Sequence, residues 1–203
     1  MSRYLSLLLF IGLSWGQGGG YALRFTDADN DYVTISYHSD LDLVGNQSFT
    51  IQAFILVDNG GTPMTFWYTG NDGDPENSIS ISASTSASEG FRVFWEYSGG
   101  TNYILDENAN LTSSNWAHLS TTYDGTTLKM YVNGTLLSSA NPGGDPGDTA
   151  DRDYTFSGSG YIDDLSIWNT ALSQSQIQNY MHKVLTGSES NLVAYYKMSN
   201  GTG

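Results

Sequence analysis

From Tyr21 onward the chain is a succession of short runs rich in Tyr, Phe, Val, Ile and Thr, each cut off by Gly, Asn, Asp or Ser. Such residues at a two-residue period fit a pleated, half-buried surface, and the polar breaks between them supply turns. Strands are predicted at YALRF (21–25), DYVTI (31–35), SFTIQAFILV (48–57), MTFWYT (64–69), SISISA (78–83) and FRVFWEY (91–97). Further strands are predicted at NYIL (102–105), WAHLSTTY (116–123), TLKMYVN (127–133), YIDDLSIW (161–168) and LVAYYKM (192–198). Asp124-Gly125 and Asn133-Gly134 supply the positive φ angles that tight hairpins need.

One helix interrupts the pattern. Ser173 and Gln176 fit a capping box, and Ile177, Met181, Val184 and Leu185 keep helical spacing until Gly187. Its expected place is over a sheet edge or one end of the core. The segment 141–153 is rich in Gly, Pro and Asp and reads as a solvated surface loop. About eleven strands in one open sheet would leave two faces and two edges to protect, so the expected architecture is all-β: two packed antiparallel sheets in a jelly-roll sandwich, with one short helix in the C-terminal region.

Residues 1–16 read as a secretory signal peptide, with Arg3 as the positive region, an apolar run at 4–13 too short to span a bilayer, and Ser14 and Gly16 at the cleavage-determining positions. The domain is then expected over 17–203, continuing into further domains of a longer parent protein, with the product secreted or at the cell surface. The chain has no cysteine, so its stability must come from a core, from sheet pairing or from a metal. Its 21 acidic residues against 7 basic ones give a formal charge of −14, which makes nucleic acid and anionic membranes poor partners. Membrane insertion is not expected.

The segments ALRF…NDYVTI (22–35), SFTIQAFI (48–55), WAHLSTTYDGTTLKMYVNG (116–134), GYIDDLSIWNTALSQSQI (160–177) and LVAYYKM (192–198) occur in the order found in laminin G-like, concanavalin A-like jelly-roll domains of secreted bacterial proteins. The chain resembles that family over nearly its whole length after the signal. The resemblance implies that Trp116 is a core anchor and His118 an edge or partly buried structural histidine. It also implies one structural Ca²⁺, where the turn Phe25 to Tyr32 meets the strand bearing Ile162-Asp163-Asp164. The expected ligands are Asp27, Asp29 or Asp31, and Asp163, since calcium takes about six to eight oxygens and can join distant segments. Thr26 departs from the family pattern, which has Asp there. An EF-hand reading of the same turn fails, because Tyr32 and His38 stand where Gly and Glu are required.

The fold hosts lectins, adhesion modules, hydrolases and lyases, so function must come from a site. The E-x-D-x-x-E motif of β-glucanases, a cysteine nucleophile and an H-E-x-x-H zinc motif are absent from the sequence, and no G-x-S-x-G elbow follows the signal segment. The expectation is therefore a non-catalytic module that binds a glycan or an extracellular or cell-surface protein. A hydrolase or lyase on the same fold and a purely structural spacer are the alternatives. Sugar binding uses aromatic faces beside hydrogen-bonding groups, and Trp67, Tyr68, Trp95, Tyr97 and Tyr103 are its candidates. Alternation puts Phe91, Val93, Trp95 and Tyr97 on one face and Arg92, Phe94 and Glu96 on the other, so Trp95 can stack on a sugar only if its face is not the core.

Overall fold

The computed structural model describes residues 21–26, 31–41, 47–69, 79–97, 101–143 and 153–198, with the side chains of Tyr97 and residues 101–103 excepted. The proposed signal at 1–16, Asp27, Asp29 and most of the 141–153 loop lie outside the described residues. In chain order the strands are β1 (Leu23–Phe25), β2 (Tyr32–Ile35), β3 (Phe49–Val57), β4 (Met64–Tyr68), β5 (Ile79–Ala83), β6 (Phe91–Tyr97) and β7 (Thr101–Glu107). They continue with β8 (Ala117–Tyr123), β9 (Leu128–Val132), β10 (Thr135–Ala140), β11 (Tyr154–Ser157), β12 (Gly160–Trp168) and β13 (Leu192–Tyr196), and α1 (Gln174–Tyr180) lies before the last.

Two antiparallel sheets form the jelly-roll sandwich. One runs β1-β12-β3-β8-β9-β10, with β13 also paired to β12, and the other runs β2-β11-β4-β5-β6-β7. Between them lies a core that includes Phe25, Phe49, Ile51, Ile55, Phe66, Trp67, Ile81, Phe91, Trp95, Leu119 and Leu165. Within it Trp67 stacks on Tyr154 with ring centroids 4.5 Å apart, and Trp95 lies 4.7 Å from Tyr123. The Tyr154 hydroxyl donates to the Leu41 carbonyl at 2.7 Å, so this ring is satisfied at its polar end. The chain crosses from β11 to β12 through Ser157-Gly158-Ser159-Gly160. Gly158 has φ +119°, and a Cβ there would run into the Pro63 carbonyl oxygen.

Two strands, β10 and β11, were not expected from the sequence. TLLSSA lacks aromatic and most β-branched residues, and forms a strand because the Asn133-Gly134 turn returns it against β9. YTFS is only four residues long and is held on both sides, by β2 and β4. The helix is present with its capping box: Ser173 is the N-cap, its side chain accepts from the Gln176 N–H, and the Gln176 side chain reaches back to the Ser173 N–H. It ends at Tyr180, earlier than the apolar spacing implies, and Val184 is exposed. Its buried face packs Ile177 with Tyr131, Trp168, Leu172 and Leu185 on the outside of the seven-stranded sheet rather than over the core between the sheets.

That covering explains β8. All seven of its residues are buried, with Ala117, Leu119 and Tyr123 in the core between the sheets and His118 and Ser120 on the opposite face. His118 is therefore on a central strand and only 2% exposed, not at an edge. Trp116 is likewise not a core anchor: it is half-buried and lies 6.1 Å from the ring of Tyr161.

The adjacent carboxylates of β12 sit on a β-bulge. Asp163 pairs with Phe54 but Ser166 pairs with Gln52, so three steps on β12 match two on β3, and Asp164 takes φ +49°. The extra residue shifts the alternation. Simple periodicity groups Tyr161, Asp163, Leu165 and Ile167 on one face, whereas in the fold Ile162, Leu165 and Ile167 are in the core. Asp and Asn accept a left-handed conformation more readily than other side-chain-bearing residues, which gives Asp164 a backbone reason to be there.

Candidate functional site

The six-stranded sheet presents two ordered rows on its outer face. Register aligns Tyr68, Ser80, Phe94 and Ile104 across β4, β5, β6 and β7, and aligns Thr65, Ser82, Arg92 and Asp106 beside them. Each lies opposite the core positions of its strand, because Trp67, Ile81, Val93, Trp95 and Leu105 face inward. A bulge between Thr65 and Trp67 sets the phase of β4, leaving Tyr68 outward. Tyr68 and Phe94 are half-buried and Ile104 is 50% exposed. One intervening strand separates Tyr68 from Phe94, which puts their backbones roughly 10 Å apart.

The polar row is organised by Arg92. Its Nη2 donates to Asp106 Oδ2 at 2.6 Å and its Nε to the same oxygen at 3.2 Å, and Glu89 lies 3.6 Å from Nη2. Asp106 Oδ1 is buried without a hydrogen-bond partner in the described structure. Apolar faces, hydroxyls and a fixed guanidinium–carboxylate pair on one sheet face can take up a ligand with both apolar and hydroxylated sides.

Of the sequence candidates, this face brings forward Tyr68. Trp67 and Trp95 are each 0% exposed and packed in the core, so the stacking role expected of them is corrected: neither ring reaches solvent. The side chains of Tyr97 and Tyr103 lie outside the described residues. Phe94, Ile104, Arg92 and Asp106 were not among the candidates. The alternation of β6 carried the signal for Phe94, but which face of the strand is core is settled by the opposing sheet.

Of the carboxylates proposed for calcium, Asp31 and Asp163 fall within the described residues. Asp31 Oδ2 accepts from both the N–H and the hydroxyl of Thr26 at 3.2 Å, which ties it to the end of β1 where Phe25 pairs with Gly160. Asp163 lies three residues farther along β12, beyond the Leu23–Ile162 pair at the other end of β1. Among the described residues, no three His, Cys, Asp or Glu side chains form a group able to hold a metal.

Asp163 is instead a buried acid, 5% exposed. Desolvation, then the charge of Asp164, push its carboxyl up to about 7, against a smaller opposing contribution from the Asp164 N–H, which donates to Asp163 Oδ1 at 2.9 Å. Burial also raises Asp164, whose Oδ1 accepts the Tyr195 hydroxyl at 2.5 Å.

The sequence profile of the concanavalin A-like lectin/glucanases superfamily matches residues 27–178. The chain belongs to this superfamily. Among curated protein sequences none is significantly similar. This superfamily member resembles the binding domain of Paraclostridial Mosquitocidal Protein 1 with a TM-score of 0.63 at 15% identity, over 86% of its own length and 45% of the other chain. A putative carbohydrate binding protein from Bacteroides ovatus gives 0.59 at 20% identity, over 87% and 50%. Domain 4 of AbnA, a GH43 extracellular arabinanase from Geobacillus stearothermophilus solved with arabinotriose, gives 0.52 at 21% identity, over 70% of each chain. At these identities the likeness is one of fold. The superfamily member spans half or less of the first two of these chains.

Proposed function

We propose that the protein is a secreted, non-catalytic glycan-binding module whose binding face is the outer side of the six-stranded sheet. The observation that carries this reading is the row Tyr68, Ser80, Phe94 and Ile104 beside the Arg92–Asp106 pair. Tyr68 and Phe94 offer apolar surface to the faces of sugar rings, while Ser80 and the Arg92–Asp106 pair supply polar groups beside them. Carbohydrate-binding proteins among the similar folds support a glycan as the kind of partner. The leader-like segment 1–16 supports export.

The test is retention on immobilised polysaccharides and a glycan array, for the parent protein and for Tyr68→Ala and Phe94→Ala. Binding that falls about tenfold or more in each variant, about 1.4 kcal/mol, with unchanged melting temperature, supports the reading. No glycan retained by the parent, or retention unaffected by both substitutions, rejects this face. A second reading, an adhesion or spacer module directed at proteins of the cell surface, draws on the burial of Trp67 and Trp95, which removes the largest expected stacking platforms. It predicts no glycan retention.

A further inference from the structure

The opposite face of the sandwich holds a separate pocket where α1 and the segment after it lie against the seven-stranded sheet. Gln52 on β3, His118 on β8 and Asp164 on β12 line its polar side, and the rings of Phe54, Tyr180 and Tyr195 line it as well. Gln52 and His118 are each 2% exposed, yet Gln52 Oε1 and His118 Nδ1 have no hydrogen-bond partner. A buried polar atom left unpaired is destabilising, so two of them in the residues lining one pocket indicate a missing partner. Burial holds the His118 pKa at about 3, which keeps the imidazole neutral and lets Nδ1 accept when the proton is on Nε2.

The lining specifies what that partner is. Gln52 Oε1, His118 Nδ1 in the Nε2–H tautomer, and the Asp164 carboxylate, whose Oδ1 already accepts the Tyr195 hydroxyl, are acceptors, so a donor-rich occupant fits. A carboxylate and three aromatic residues in the lining favour positive charge and disfavour an anion. The innermost space has room for about one water, the size of an ammonium head. A metal is the poorer match, since no metal-binding group of three His, Cys, Asp or Glu exists among the described residues.

We propose that this pocket binds a primary ammonium group at the end of an alkyl chain, its N–H groups shared among Gln52 Oε1, His118 Nδ1 and Asp164, with the stem lying against Phe54, Tyr180 and Tyr195. Lys183, exposed at the mouth, competes with it. A lysine side chain of a partner protein and a free polyamine share this chemistry.

The experiment titrates the protein with n-butylammonium chloride, n-butanol and sodium chloride at matched ionic strength, following saturation-transfer NMR and melting temperature. Saturable binding of butylammonium, at least about tenfold tighter than butanol, weakened about tenfold in Gln52→Leu and Asp164→Asn and tightened in Lys183→Ala, is expected. Nα-acetyl-lysine amide and putrescine then separate a protein lysine from a polyamine as the source. Equal responses to butanol and butylammonium, or an affinity indifferent to Gln52→Leu and Asp164→Asn, overturn the proposal. So does the absence of amine binding in both the parent and Lys183→Ala, a surface variant that leaves the core untouched, which would mean that the pocket holds a bridging water only.

Discussion

Asp163 and His118 occupy the same cross-strand row of the seven-stranded sheet, on either side of Phe54. Both are nearly inaccessible, at 5% and 2%, and burial acts on both by disfavouring charge, with opposite consequences for pH.

Asp163 rises from 3.8 to about 7 on folding, so the folded state binds more protons and stability falls as pH climbs from about 4 to about 7. His118 drops from 6.5 to about 3, so the unfolded state binds more protons and stability grows as pH climbs over that interval. The two contributions oppose each other between about pH 4 and 6.5. Urea melts should show a stability rise across this range in Asp163→Asn and a fall in His118→Gln, each on the order of 2 kcal/mol relative to the parent. Parallel profiles in all three proteins would show that neither group is controlled by its burial.

Asp163→Asn keeps the acceptor for the Asp164 N–H while removing a buried charge beside a like one. At pH 8 it should raise the melting temperature by several degrees, on the order of 1–2 kcal/mol.

Neighbouring residues of β6 should behave in opposite ways. Trp95→Ala empties a fully buried site against Phe49 and Tyr123 and should cost about 3–5 kcal/mol in denaturant melts. Phe94→Ala, on the outer face, should cost about 1 kcal/mol or less and show its effect in glycan retention. A Phe94→Ala protein that fails to fold would place that ring in a core the sheet does not have.

The bulge makes a backbone prediction. Asp164 at φ +49° can be replaced by Gly without strain, whereas Asp164→Val should be less stable than Asp164→Gly by at least about 1–2 kcal/mol, from the left-handed conformation alone. Equal melting temperatures for the two would mean that the bulge relaxes.

Local chemistry determined much of this protein. Turn residues such as Asn133-Gly134, the two-residue alternation and the Ser173–Gln176 capping box made the β-sandwich, most strands and the start of the helix legible before any coordinates. These signals are readable because they depend on backbone preferences within a few residues. Short strands such as β11 were not readable, since their pairing to two neighbours rather than their composition makes them extended. Nor was the phase of β12, which turns on one added residue against β3. Alternation divides Trp95 from Phe94 but does not say which faces water. Only the apposition of the two sheets decides that: it buries Trp67 and Trp95 and leaves Tyr68 and Phe94 on the outer face.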